Sequence, residues 1–243
     1  MESTERSHLD VGGLVVEVVR KDVKNLHLGV YPPSGRVRVA APIAVSDEAV
    51  RLAVIGKLPW IRRQQETFKR QPRQSAREAT TGESHYVFGQ RRRLRVVADA
   101  SRAHVVQATK TRLEIHVPPG STPESRVAVL DRWQRQLLRE AIEPLFEQWQ
   151  KTLGVSPSSV GIKRMKTKWG SCNVASGSVW INSELAKKPI DCVEYIVVHE
   201  LVHLLVPTHG ERFIDLMDQH MPGWRNRRDQ LNSMPLSHEN WSY

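Results

Sequence analysis

The stretch His199-Glu200-Leu201-Val202-His203, followed by His209, decides the reading of this chain. On a helix, residues four apart share a face, so His199 and His203 point to one side. Glu200 lies about 100° round from His199, which suits a base acting on an activated water better than a ligand. Neutral imidazole is a good zinc ligand, and a catalytic zinc takes three protein ligands and leaves a fourth position open. These residues therefore mark a site for one Zn²⁺ and a water.

The flanking sequence reads as a buried helix. Asp191 and Glu194 have capping-box spacing at its start, and Val193, Ile196, Val197, Leu201, Leu204 and Leu205 make nearly every direction apolar. In such a setting an unpaired polar group costs roughly 2–7 kcal/mol, and metal coordination accounts for the histidines and the glutamate together. Pro207 ends the helix near Leu205. Thr208 is placed to cap a second helix from about His209, with Phe213, Leu216 and Met217 on its apolar face. The turn returns His209 to the first helix. Glu211 and Asp215 are rival third ligands, although they read as solvated helix charges; His220 and His238 read as surface residues.

Working outward, residues 11–45 alternate as strands do, through Leu14, Val16 and Val18, then Leu26 and Leu28, then Val37 and Val39. Tyr31-Pro32-Pro33-Ser34-Gly35 is a turn. Ser46-Asp47-Glu48 starts a helix, and a second helical piece follows Pro59. Residues 70–84 read as an exposed connection, Tyr86 to Val97 as a hairpin about Gly89-Gln90, and Arg112 to Val117 as another strand. Beyond Pro118-Pro119-Gly120 a long amphipathic helix begins near Pro123, with Leu130, Trp133, Leu138, Phe146 and Trp149 at helical spacing. Pro144 is expected to kink or divide it. A strand about Val160 to Ile162 and a hairpin from Trp169 to Asn182 precede the metal helix. The fold class is α+β, with a basic β-rich subdomain over 1–118, a compact domain carrying the HExxH helix over 119–232, and a tail over 233–243.

Three segments, Lys166-Thr167-Lys168-Trp169-Gly170-Ser171-Cys172, Val179-Trp180-Ile181-Asn182 and Glu194 to Leu204, together resemble the YgjP-like metallopeptidases. These are related to the SprT-like zinc proteases of the zincin group. His209 to Phe213 resembles the segment that carries the third histidine, and Met221-Pro222-Gly223-Trp224 a closing motif. The likeness covers roughly residues 10–232. It implies a zincin-like metallopeptidase domain, with zinc held by His199, His203 and His209 and with Glu200 as catalytic acid/base. It also implies an exposed strand beside the metal helix that pairs with an extended peptide. Ser178 to Asn182 or the arm from Lys168 to Asn173 would serve, with Trp169, Trp180 and Asn182 at the substrate. A metzincin is disfavoured, because no glycine lies between His203 and His209.

Composition bounds the rest. With 40% hydrophobic and 26% charged residues, the 243-residue chain is ordinary for a globular protein. No apolar run is long enough to span a membrane, and Met1 to Asp10 does not read as a secretory signal. Cys172 and Cys192 are read as reduced thiols in a cytoplasmic protein, with a bridge between them left open and Cys172 as a less economical ligand. The formal net charge is +10, and between Lys57 and Arg95 eleven Lys/Arg face three Asp/Glu. Arg91, Arg92, Arg93 and Arg95 are the densest part, a candidate nucleic-acid contact or the basic guard of an exposed strand. Two functions follow: a zinc peptidase, whose substrates the SprT-like resemblance extends to nucleic-acid-associated proteins, or a nucleic-acid-binding adaptor with a non-catalytic zinc. Hydrolysis is expected to fall at acidic pH, since ligand histidines must be neutral.

Overall fold

The computed structural model describes residues 5–31, 35–70, 78–99, 101–106, 109–165 and 168–234. The middle of the turn at 32–34, residues 71–77 of the connection at 70–84, Lys166-Thr167, His238 and the greater part of the tail lie outside the described residues. The chain is mixed α+β and forms two compact units, one within residues 1–74 and one within 75–237.

In the first unit β1 (Glu5–Val11), β2 (Leu14–Arg20), β3 (His27–Tyr31) and β4 (Arg36–Ala41) make a sheet of order β1-β2-β4-β3. Two helices follow, α1 (Asp47–Ile55) and α2 (Leu58–Arg70). The Ser46 hydroxyl accepts the Ala49 amide at 3.2 Å, so Ser46 is the N-cap that its residue type favours. Val16, Val18, Val37 and Val39 pack with Val50, Val54 and Ile61 into a core of its own.

The second unit opens with β5 (Ser84–Val87), β6 (Gln90–Val97), β7 (His104–Val106) and β8 (Arg112–His116), in the order β5-β6-β8-β7. This is the first sheet repeated. Outer pairs are antiparallel and the central pair parallel in both. β2 and β6 start at 14 and 90, β4 and β8 at 36 and 112, and α1 and the long helix α3 (Pro123–Leu153) at 47 and 123. Buried positions repeat as well: Val11 with Val87, Val18 with Leu94, Val37 with Leu113, Val39 with Ile115 and Val54 with Leu130. Gly12-Gly13 and Phe88-Gly89, all at positive φ, make the two hairpin turns.

The boundary expected at 118 therefore falls inside a unit. Pro118 is not linker; it stands between strand and helix as Pro42 does in the first repeat. Leu94, Leu113, Ile115 and Val117 pack against Leu130, with Val127 and Trp133 beside them. The rest of α3 carries Leu138, Ile142, Phe146 and Trp149 into a second core. Pro144 neither breaks nor divides α3, which runs 31 residues. It lies on the exposed side, where water can take up the hydrogen bond that the ring removes.

The second core contains β9 (Ser159–Lys163), β10 (Gly170–Asn173) and β11 (Ser178–Asn182) in the order β10-β11-β9. A 3-10 turn (Ser183–Lys187) leads to α4 (Ile190–Val202), α5 (Glu211–His220) and α6 (Trp224–Ser233). Among the described residues no helix is long and apolar enough to cross a membrane.

Candidate metal centre

Helix α4 is buried on almost every side, from Cys192 and Val193 through Leu201 and Val202. Its expected capping box does not form: the N-cap is Pro189, with no side-chain hydrogen bond. Glu194 instead accepts the Trp149 indole N–H at 3.0 Å and pairs with Arg227, joining α3, α4 and α6. At the other end the helix stops at Val202, and the Nδ1 of His203, just beyond, lies 3.2 Å from the Val206 carbonyl. Thr208 does not cap the next helix either. Gly210 is its N-cap, so His209 sits in the turn before α5 rather than on it.

These elements bring three imidazoles together. His209 Nε2 is 3.0 Å from His199 Nε2 and 3.1 Å from His203 Nε2. Phe213 wedges beneath, its ring centroid 4.7–5.0 Å from all three. Three ring nitrogens meeting this way cannot satisfy one another, since each N–H can point to only one neighbour. For His203 the Val206 carbonyl selects the Nδ1–H tautomer and leaves the Nε2 lone pair facing the cluster. Nitrogens bound to a tetrahedral zinc at 2.0–2.1 Å stand about 3.3 Å apart, so the spacing fits one ion. Among the described residues no fourth His, Cys, Asp or Glu joins the group. Glu211 and Asp215 are exposed and outside it.

Burial and the neighbouring imidazoles hold His199 down to about 3. Burial likewise lowers His203. Both rings are thus kept neutral, as ligands must be. Glu200, 4% exposed, is pushed up to about 7 by burial, with the Lys168 ammonium pulling the other way. Its carboxylate lies over the backbone of Gly170, where a Cβ would come within 2.4 Å of Glu200 Oε1. A side chain at 170 would have to displace it.

A cavity of about 540 Å³ opens over the cluster, lined by Trp169, Gly170, Ser171 and Cys172 of the β10 arm, and by Lys168, Tyr195 and Arg228. Trp169 is among the lining residues. Trp180 is not; it lies on the other face of β11, against Gly161, with the Lys163 ammonium 4.3 Å from its ring centroid. Asn182 is also spent elsewhere. Its amide donates to the Met165 and Lys168 carbonyls at 2.8 and 2.7 Å and its oxygen accepts from the Met165 and Glu184 amides. It latches the loop that carries Lys168 and leaves no polar atom for a substrate. Helical spacing alone places Tyr195 here: it stands four residues before His199, and its ring meets that imidazole edge-on at 5.7 Å. Arg91, Arg93 and Arg95 are exposed on β6 away from the cavity, whereas Arg92 is buried. Cys172 and Cys192 are both free thiols.

Residues 24–234 match the YgjP-like metallopeptidase domain family. The chain belongs to that family. As a YgjP-like protein it is a metallopeptidase, and the three-histidine cluster lies inside the matched region. Among solved structures it is similar to the metallopeptidase zymogen of Pyrococcus abyssi abylysin, at 23% identity over 37% of this chain and 90% of that one, with a TM-score of 0.35. It is also similar to the zymogen of Methanocaldococcus jannaschii jannalysin, at 20% identity over 37% and 87%, again with a TM-score of 0.35. No curated protein matches the YgjP-like chain.

Proposed function

We propose that this YgjP-like protein is a zinc-dependent endo- or exopeptidase whose ligands are His199, His203 and His209 and whose general base is Glu200. The convergence of three Nε2 atoms at 3.0–3.1 Å, with no fourth protein ligand among the described residues, carries the reading. A structural zinc usually has a closed set of four protein ligands, so the open position favours hydrolysis over the adaptor reading. When bound, the ion would acidify a water and polarise the scissile carbonyl.

The chain's own residues supply the rest. Glu200, held against Gly170 at the cavity wall, takes a proton from the attacking water onto its carboxylate and passes it to the leaving amine. Tyr195, whose phenol burial raises to about 12, keeps its proton and remains a donor beside His199. β10 is an edge strand, and Gly170 to Cys172 line the cavity. An extended peptide adding to that edge would lay one peptide bond beside the histidines.

The test is metal analysis alongside a peptide-library assay. Glu200→Gln should keep one zinc per chain and lose hydrolysis; His203→Ala and His209→Ala should lose both. Full turnover in Glu200→Gln would end the base assignment, and unchanged zinc in His209→Ala would remove that ligand.

A further inference from the structure

The second sheet carries a charged face that the metal centre does not use. β6 alternates strictly: Arg92 and Leu94 point to the core, Arg91, Arg93 and Arg95 to the open side. Arg92, expected in the basic cluster, is only 7% exposed and stands where the first repeat has core Val16. It is held by the Thr109 carbonyl and the Gln90 side chain. The open face gains a different arginine in its place, Arg112 of β8, directly opposite Arg93.

Two guanidinium groups facing each other across neighbouring strands repel. Arg95 has Glu114 at 3.3 Å to offset it. Among the described residues Arg91, Arg93 and Arg112 have no carboxylate partner. Basic residues often guard an exposed strand edge against pairing, but that explanation fails for these two strands. In the order β5-β6-β8-β7, both β6 and β8 have a neighbour on each side. The charge guards no edge, so it is arranged for something outside the sheet.

The same face offers flat rings. Tyr86 is paired directly with Arg91. Across the sheet His104 and His116 stack with centroids 4.9 Å apart and planes within 9°. Arginines spaced along a strand by about 6.8 Å, flanked by aromatic planes, match what a single strand presents: regularly spaced phosphates and exposed bases. A duplex hides its bases and would leave Tyr86 unused.

We propose that the open face of the β5-β6-β8-β7 sheet binds single-stranded nucleic acid, with Arg91, Arg93 and Arg112 on phosphates and Tyr86 stacked on a base. The face is tied to the metal helix. At the tip of the β5–β6 hairpin the amides of Phe88 and Gly89 donate to the Ala186 and Lys187 carbonyls at 2.9 and 3.2 Å. Gly89 lies against Pro189, the cap of α4. Nucleic acid held here would place proteins bound to it beside the cavity, an extension that rests on the peptidase reading; the binding itself does not.

The experiment is fluorescence anisotropy with the full chain carrying Glu200→Gln, so that turnover plays no part. The probes are a labelled 20-nucleotide single-stranded DNA, the same sequence as RNA, the duplex, and polyglutamate, each titrated across a range of salt. Single strands should bind most tightly. The triple variant Arg91→Ser/Arg93→Ser/Arg112→Ser should lose at least about tenfold, and its salt slope should flatten by about 2, three phosphates at roughly 0.7 each. Tyr86→Ala should lose about 5- to 100-fold at an unchanged slope. The single variant Arg93→Ser gives the same reading, with a slope change of about 0.7, should the triple variant not fold. Parental affinity and slope in these variants would overturn the proposal. So would equal binding of polyglutamate, or duplex binding tighter than single-strand binding and indifferent to Tyr86→Ala. DNA bound alike with RNA supports a backbone-and-stacking site; a preference for RNA supports it too and adds a 2′-hydroxyl contact.

Discussion

At the scale of single residues, the cluster asks for precise support around Glu200. Gly170→Ala should push the carboxylate off its seat while leaving the histidines untouched. We expect zinc content to stay at the parental level and kcat to fall on the order of 10²-fold, the effect of about 1 Å of misplacement. Parental kcat would show that Glu200 does not depend on Gly170. Lys168→Met removes the charge that holds the Glu200 carboxyl down, so the acid limb of the pH–rate profile should move to higher pH. In metal-free protein the linkage has a definite sign. The folded carboxyl titrates near 7 and the ordinary one near 4.5, so the folded state loses stability as pH rises between those values. After chelation, Glu200→Gln should match the parent near pH 4 and exceed it at pH 8 by on the order of 3 kcal/mol, read from urea midpoints. The sequence showed His199, Glu200 and His203 because helical spacing alone puts them together. It could not show that Asn182 binds a loop, nor that burial keeps the His199 ring neutral well into the acid range.

At the scale of elements, the same residue types served different ends from those the local pattern suggested. Asp191 and Glu194 have capping-box spacing, yet the helix already starts at Ile190 behind Pro189, and Glu194 turns to Trp149 and Arg227 instead. That interaction binds three helices, and its loss is testable. Glu194→Ala leaves an indole donor and a guanidinium without their acceptor and should cost about 1–3 kcal/mol. Glu194→Gln keeps the indole bond and should cost less. Equal stability of both variants to the parent, by chemical denaturation, would remove the carboxylate as a joint. Alternation along β6 shows why runs of like residues mislead. Four arginines between 91 and 95 look like one patch in the sequence, but a strand sends Arg92 to the opposite face. Its replacement, Arg112, is adjacent only through the parallel pairing of β6 with β8, a contact that no local pattern encodes.

At the scale of the molecule, the repeat explains the misplaced boundary. Its two copies share topology and buried positions but little sequence, because a sheet core asks only for apolar residues at alternate places. Val16 and Arg92 occupy equivalent sites, and the prolines at 42 and 118 read as punctuation between domains when they punctuate strand and helix. All three histidines lie in the second unit, on or beside α4 and α5. Metal binding should therefore be felt there. With zinc at about 1,000 times its dissociation constant, elements that open only by releasing the ion gain about 4 kcal/mol. Hydrogen exchange should slow in α4 and in the segment from His203 through α5. Exchange in β1 to β4 should be the same with and without zinc, since no ligand belongs to that unit. Equal slowing in both units would mean that they unfold as one and that the first copy of the repeat shares in holding the metal site.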